Sequence, residues 1–324
     1  MKIGILGCGV AGLSAARELR GQGIEVKLFD KSRGVGGRMS TRYAGDWEFD
    51  HGAQFFTIQD PDFKTAIDEA VSAGVVAPWP ARALYLKDGE VSADTGRARY
   101  VAQPRMNALP KYWAEGLDIE LGRRVSAITQ NIKGNVAAGW TLTFEDGAEV
   151  GGFDGVISTL PPAQLQPLLP ANFRDKQAVT AAKMHACFAL MVGLNNPIDP
   201  GWDTVRVKNL PIDWIAINHA KPGRTQTVGT VMIHAEADWS DEHAEVDRDW
   251  VRDVMLDTAS ALIDYPLADA PHIALHRWLY ASSKASPDVP CLKGDSFVAA
   301  GDWCLGGRVQ GAWLSGRAAA RAFI

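Results

Sequence analysis

Between a short apolar run, residues 2–6, and a stretch of helical spacing, residues 13–19, stands Gly7-Cys8-Gly9-Val10-Ala11-Gly12. A strand, a glycine turn and a helix in that order are the first half of a βαβ dinucleotide-binding unit. Gly7 permits the tight turn, Gly9 lets the backbone approach a pyrophosphate, and Gly12 allows the helix to pack closely on the strand. The phosphates then sit at the positive end of the helix. A second strand, residues 25–29, ends in Asp30, where a carboxylate accepts hydrogen bonds from the ribose hydroxyls of an adenosine half. An Arg there would indicate a 2′-phosphate instead.

A chain of 324 residues is expected to form two lobes, at roughly 150 residues per domain. With 47% hydrophobic and 22% charged residues, it is an ordinary globular chain with a real core. The net charge of −5 excludes a nucleic-acid binder, which needs clustered Lys and Arg. Cys8, Cys187, Cys291 and Cys304 lie far apart with no paired spacing, so neither a disulfide framework nor a metal site is expected. The first apolar run leads straight into glycines, unlike a secretory signal. Nor does any segment approach the roughly 20 apolar residues that span a bilayer, and the expected location is cytoplasmic, with no membrane partner.

After Asp30 comes Lys31-Ser32-Arg33-Gly34-Val35-Gly36-Gly37-Arg38, where a simple dehydrogenase would begin its next helix. Its glycines allow close approach to phosphate, and Arg33 or Arg38 neutralises it. This stretch resembles the extension found in the FAD-binding amine-oxidase superfamily. At the other end, a strand over residues 296–300 leads to Gly301-Asp302, and after Gly306-Gly307-Arg308-Val309-Gln310-Gly311 a helix starts near Ala312. The resemblance implies that Asp302 binds the ribityl chain of the flavin and that the helix aims its N-terminus at the pyrimidine edge of the ring. Reduced flavin carries negative charge there, which a helix N-terminus and Arg308 stabilise. Asp154-Gly155-Val156-Ile157-Ser158-Thr159-Leu160-Pro161 is similar to the strand that re-enters the FAD domain.

The expected fold class is α/β. It comprises an FAD-binding Rossmann-type domain of the amine-oxidase and p-hydroxybenzoate-hydroxylase kind, with a second α+β substrate domain on a mixed sheet. The FAD domain is expected to take residues 1–58, 104–162 and 290–324, and the substrate domain residues 59–103 and 163–289. A helix is expected from Asp60-Pro61 to Gly74, and another over residues 106–114. A longer helix after Ser240 would bury Val246, Trp250, Val254 and Leu262. Strands are expected over residues 184–194, 213–219, 227–235 and 272–281.

Taken together, these motifs resemble the renalase family, especially its bacterial members, over essentially the full length. The matching segments are residues 29–34, 36–40, 52–57, 213–214, 276–281, 301–305 and 311–316. The resemblance implies oxidation of isomeric dihydronicotinamides, the 2- and 6-dihydro forms of NAD(P), to NAD(P)+. Electrons would pass to non-covalent FAD and then to oxygen, giving hydrogen peroxide. Phe55, where relatives often carry Tyr, and the stretch 103–107 depart from the family pattern and leave substrate preference open. The cofactor candidates are Gly7, Gly9, Val10, Ala11, Gly12, Asp30, Lys31, Arg33, Gly37, Arg38 and Met39, then Gly52, Ala53 and Gln54. Val125, Thr159, Asp302, Arg308, Val309, Gly311 and Ala312 complete them. A covalent flavin link through His51 or Cys304 is not expected.

Hydride loss from a dihydropyridine leaves no proton to remove, so the protein needs orientation more than a base. Gln54 is the first candidate to face the ring, since its amide donates and accepts. His185, His234 and His276 fall on expected strands; alternation puts His276 with Trp278 and Tyr280, and His234 with Met232 and Thr230. His234 and His276 join Gln54 as catalytic candidates, and Trp214 and Asn218 share a further face. Two rival readings stand beside this one: an amine oxidase or desaturase of the same superfamily, and a non-enzymatic flavin-binding protein.

Overall fold

The computed structural model describes residues 1–133 and 136–324, with the side chains of 133–137 left aside. Its contacts divide into two units, one of Met1–Gly37, Pro110–Met184 and Ser282–Ile324, the other of Arg38–Leu109 and His185–Ala281.

The first unit is built on a six-stranded sheet. Strand Lys2–Leu6 pairs in parallel with Glu25–Asp30 on one side and with Gly155–Ser158 on the other. Asp118–Leu121 and Phe297–Ala299 continue the parallel order outward, and Leu292–Lys293 closes one edge antiparallel. Ile3, Ile5, Val156 and Ile157 are fully buried, as expected of parallel strands covered on both faces. Helix Val10–Gly21 packs on helix Val309–Ala320 so closely that a Cβ at Gly316 would lie 2.0 Å from the Ala11 carbonyl oxygen. The Ser14 hydroxyl donates to the Trp313 carbonyl at 2.8 Å, and Arg317 pairs with Glu18 at 2.9 Å. A three-stranded antiparallel sheet, Val125–Lys133, Val136–Phe144 and Glu149–Phe153, covers Phe29 with Phe144 and Phe153.

The second unit carries a mixed seven-stranded sheet whose order is His272–Ala285, Lys183–Leu194, Gly229–Ala235, Ile212–Ile217, Thr204–Lys208, Ala83–Lys87, Glu90–Ala93. Alternate residues of its strands, among them Leu190, Val192, Val231, Ile233, Ile215, Val205 and Val207, join a core with helix Arg248–Ile263. That face is the apolar one.

Several expectations change. The helix buries Val251, Met255, Leu256, Ala259 and Ile263, whereas Trp250 is 45% exposed and Val246 precedes the helix. Its register is set by Asp247, whose carboxylate accepts from the Asp249 and Trp250 N–H groups and caps the first turn. The C-terminal helix starts at Val309 rather than Ala312, because Arg308 at φ +72° turns the chain and its carbonyl accepts from Ala312 N. The helix expected from residue 106 starts at Ala108. The strand expected to reach His219 stops at Ile217, where Asn218–Ala220 forms a single 3₁₀ turn. By contrast, helix Pro61–Ser72 starts as expected, with the Asp60 carboxylate accepting from Phe63 N at 2.9 Å.

The unit boundaries also differ from those expected. Residues 38–58 fall in the second unit because Asp50 is held there by Met106 N, Lys221 and Arg224. Residues 163–184 fall in the first, since Leu165, Leu168, Phe173 and Val179 complete its core with Phe297 and Trp303. Among the described residues, no helix is long and apolar enough to cross a membrane.

Candidate functional site

In the first unit the glycine turn has the geometry its spacing requires. Gly7 stands at φ +101°, and a Cβ on Gly12 would come within 1.9 Å of the Gly7 carbonyl oxygen. A Cβ on Gly9 would meet nothing within 4 Å, so open space adjoins the backbone that heads the first helix. Gly9 caps that helix without any side-chain hydrogen bond, leaving its first-turn N–H groups for an anion. Gly36 N donates to the Cys8 carbonyl at 2.8 Å and Gly9 bridges Gly36, folding the second glycine loop onto the first. A turn this open and this uncapped fits a pyrophosphate.

Asp30 lies at the end of its strand as expected, but its carboxylate already accepts from Cys8 N at 2.7 Å and from Ser32 N at 2.8 Å. It braces both loops, and each oxygen keeps a lone pair for a ribose hydroxyl. Asp30→Ala is therefore expected to lower FAD affinity by more than about tenfold, read by titrating apoprotein with FAD. An unchanged affinity would confine Asp30 to the loop.

Thr159 donates to the Leu6 carbonyl beside Gly7, Val125 packs against the core of this unit, and Arg33 is exposed. Asp302 is 5% exposed, with its carbonyl accepting from Gly307 N. Val309, Gly311 and Ala312 form the first turn of the last helix, with Arg308 exposed at its cap. Burial pushes the Cys8 and Cys304 thiols up, so neither offers the thiolate that bond formation needs. Acid or heat alone is expected to release the flavin; colour retained on the denatured chain would contradict this.

Lys31 and Gly37 belong to the first unit, whereas Arg38, Met39, Gly52, Ala53 and Gln54 lie in the second. Ala53 N donates to the Arg38 carbonyl at 2.8 Å, and a Cβ on Gly52 would lie 2.0 Å from that same oxygen. Arg38 in turn donates to the Ala281 carbonyl at 3.1 Å, and Met39 is buried.

The sheet face opposite the apolar core of this unit carries its chemistry. Cross-strand registers place Tyr85 beside Arg206, Arg206 beside Trp214, Trp214 beside His234 and His234 beside Ala189. One polar and aromatic row, from Tyr85 to His234, thus crosses four strands. Segment 50–56 packs on this row, with the His51 carbonyl accepting from Trp278 Nε1 at 2.9 Å and from His234 Nε2 at 3.2 Å. The His51 ring stacks on Trp278 at 4.9 Å and meets His276 edge-on at 5.1 Å, while Phe55 lies 5.2 Å from Trp214. His276 and Trp278 share a face as alternation requires, at 4.5 Å.

Desolvation holds His51 and His234 at about 4, and lowers His276 as well. All three imidazoles are neutral at physiological pH. His185 instead engages Asp241 at 2.8 Å, with Asp238 completing a group whose donor atoms lie within 4.8 Å.

Below segment 50–56 lies a charge network that the sequence reading did not identify. Asp50, 1% exposed, accepts from the Thr41 hydroxyl and Met106 N, both at 3.0 Å, and from Lys221 and Arg224. Lys221 donates to Asn218 Oδ1 at 2.9 Å and to Gln54 Oε1 at 3.1 Å. Gln54 is part of this network: its amide nitrogen donates to the Asp50 and Gly52 carbonyls, and its oxygen accepts from Lys221. The available signal was Asn218, Lys221 and Arg224 at intervals of three around Pro222-Gly223.

Cations belonging to the protein itself occupy the aromatic rings of this site. Arg99 lies over Phe55 at 5.1 Å and Trp214 at 5.7 Å, Arg206 over Trp214 at 5.4 Å, and Lys221 over Trp79 at 5.8 Å. Among the described residues, the buried polar atoms without a partner include Trp214 Nε1, His51 Nδ1, Thr230 Oγ1 and Arg224 Nε.

Residues 5–70 match the model of an NAD(P)-binding Rossmann-like domain, and residues 90–324 that of flavin containing amine oxidoreductases. A 4,4'-diapophytoene desaturase of Staphylococcus aureus is 42% identical over 60 residues, 18% of this chain and 12% of the desaturase. The chain thus aligns with only a small part of that relative. The cyclohexylamine oxidase of Brevibacterium oxydans has the same fold, with a TM-score of 0.77 at 14% identity over 99% of this chain and 98% of that one. A putrescine oxidase bound to putrescine superposes with a TM-score of 0.74 at 13% identity, covering 100% and 99% of the two chains.

Proposed function

Because this chain belongs to the family of flavin containing amine oxidoreductases, we propose that it oxidises isomeric dihydronicotinamides, the 2- or 6-dihydro forms of NAD(P). It is an FAD-dependent oxidoreductase, and the products of this reaction are NAD(P)+ and hydrogen peroxide, with oxygen as final acceptor. The observation that supports this substrate over an amine is the set of cations on the aromatic rings. An amine travels as an ammonium and is held by the open faces of aromatic rings. Here Arg99, Arg206 and Lys221 already lie over Phe55, Trp214 and Trp79, and they repel a further cation.

A dihydropyridine is neutral and needs no such cage. It loses hydride without yielding a proton, which suits a site whose histidines are neutral and whose His234 Nε2–H is committed to a backbone carbonyl. Bound FAD supplies the hydride acceptor. Gly7, Gly9, Gly12 and Asp30 would hold its adenosine diphosphate half, and Asp302 with the head of helix Val309–Ala320 its flavin end. The row from Arg206 to His234 would bind and orient the flat substrate ring.

Anaerobic mixing with a panel of dihydronicotinamides and amines tests the reading. The 2- or 6-dihydro isomers should bleach the flavin rapidly, and ordinary 4-dihydro NAD(P)H, benzylamine and putrescine slowly or not at all. Faster bleaching by an amine or by ordinary NADH would defeat it.

A further inference from the structure

Three side chains of the second unit converge on one ammonium. Lys221, whose side chain is fully buried, donates to Asn218 Oδ1 at 2.9 Å, to Gln54 Oε1 at 3.1 Å and to Asp50 Oδ2 at 3.3 Å. An ammonium has three N–H donors and no acceptor, so each proton has one oxygen. Two of those oxygens belong to segment 50–56, which carries His51 and Phe55. The third belongs to the turn Asn218–Ala220, which ends the strand Ile212–Ile217 that carries Trp214. Lys221 therefore joins the segment to the strand it packs on. At that junction Phe55 lies 5.2 Å from Trp214, and the His51 carbonyl accepts from His234 Nε2 at 3.2 Å.

We propose that Lys221 is a positioning residue for flavin reduction, its ammonium acting through Gln54 and Asn218 to fix segment 50–56 against the row from Arg206 to His234. Stability alone gives no reason for a lysine here, because a methionine fills similar space without burying a second cation beside Arg224. The three donors give one. A neutral amine keeps two N–H groups and turns a lone pair toward the third oxygen, which loosens the joint. Burial lowers Lys221 itself to about 8. Facing it are Asp50, Arg224 and His234. Burial would raise Asp50, but Lys221 and Arg224 hold it at about 2; burial holds His234 at about 4; and a guanidinium keeps its charge throughout. Near pH 8 the ammonium is thus the member of this group that changes charge. This inference rests on the dihydronicotinamide reading and adds the residue that aligns the site for that substrate.

Anaerobic stopped-flow reduction by the 2- and 6-dihydro isomers, then reoxidation by oxygen, is compared between wild type, Lys221→Met, Gln54→Leu and the double variant. Lys221→Met should melt no lower than wild type, yet at saturating substrate its flavin should be reduced at least about tenfold more slowly, with reoxidation within about twofold of wild type. The double variant should lose no more than Lys221→Met alone, since both substitutions break the same joint. Wild-type reduction should slow as pH rises through about 8, a dependence read without any substitution, and Lys221→Met should lack it. Unchanged reduction in Lys221→Met, a loss confined to reoxidation, additive losses in the double variant, or a wild-type rate flat through this range would overturn the positioning role while the substrate reading stands. Failure of every dihydronicotinamide to reduce the wild-type flavin would overturn that reading and the role with it.

Discussion

Gly12→Val is expected to yield a chain that neither binds FAD nor stays soluble, while Gly9→Ala, three residues earlier, folds normally and binds FAD at least about tenfold more weakly. The two glycines serve different ends. A Cβ on Gly12 would lie 1.9 Å from the Gly7 carbonyl oxygen and 3.3 Å from the Thr159 hydroxyl, and backbone on both sides is fixed by pairing with Glu25–Asp30 and Gly155–Ser158. Relief requires separating helix from sheet, at about 4 kcal/mol or more, against a total stability of roughly 5–15 kcal/mol. Gly9 has φ −77°, which any residue adopts, and a Cβ there meets nothing within 4 Å. The added methyl fills only the space assigned to the pyrophosphate. Thermal unfolding by circular dichroism, paired with FAD titration, separates the outcomes; normal FAD affinity in Gly9→Ala would place the phosphates elsewhere.

Asp50→Asn is expected to destabilise the protein by about 3–5 kcal/mol, since it leaves Lys221 and Arg224 buried with no carboxylate between them. Lys221→Met should be close to neutral or stabilising, because Asp50 keeps Arg224 and the surplus cation is gone. The pH dependence follows the same asymmetry. Burial lowers Lys221 from its ordinary 10.5 to about 8. Between those values the unfolded chain holds a proton that the folded chain lacks, so stability rises with pH from about 8 towards 10.5, and below 8 the penalty is complete.

Asp50 runs the other way. Burial alone would raise it, but Lys221, Arg224 and Met106 N outweigh this and bring it from 3.8 to about 2. Its contribution is present above 3.8 and is lost as pH falls through about 2. Subtracting the Lys221→Met melting profile from that of wild type isolates the alkaline rise; identical profiles would refute the assignment to Lys221.

The dinucleotide turn was legible because its constraints are local. Gly7, Gly9, Gly12 and Asp30 act within one strand, turn and strand, and spacing alone specifies them. Helix Pro61–Ser72 was legible for the same reason, through Asp60 and Pro61. The Asp50 network was not, since Asp50 and Lys221 are 171 positions apart and only the fold joins them. Nor was the row of Tyr85, Arg206, Trp214 and His234, whose members come from four strands. Alternation showed which residues of one strand share a face, but not which strands are neighbours or which face the long helix covers. Trp250 illustrates the limit: helical periodicity made it a core residue, and the Asp247 cap turned it outward. Gln54 was singled out for what its amide can do, and the structure commits that amide to the loop and to Lys221.

The strand order of the first unit has a kinetic consequence. Strand Lys2–Leu6 takes Gly155–Ser158 as a neighbour, and that strand takes Phe297–Ala299, so the sheet is complete only after nearly three hundred residues have been made. Until then the groove on helix Val10–Gly21 that receives Gly316 stays uncovered, while the second unit can already close over 38–109 and 185–281. Contacts of such long sequence separation form slowly. A nascent or truncated chain lacking Val309–Ala320 therefore presents a folded second unit beside a sticky, unfinished first one. Flavin supplied during synthesis is expected to raise the soluble yield more than flavin added to the purified chain.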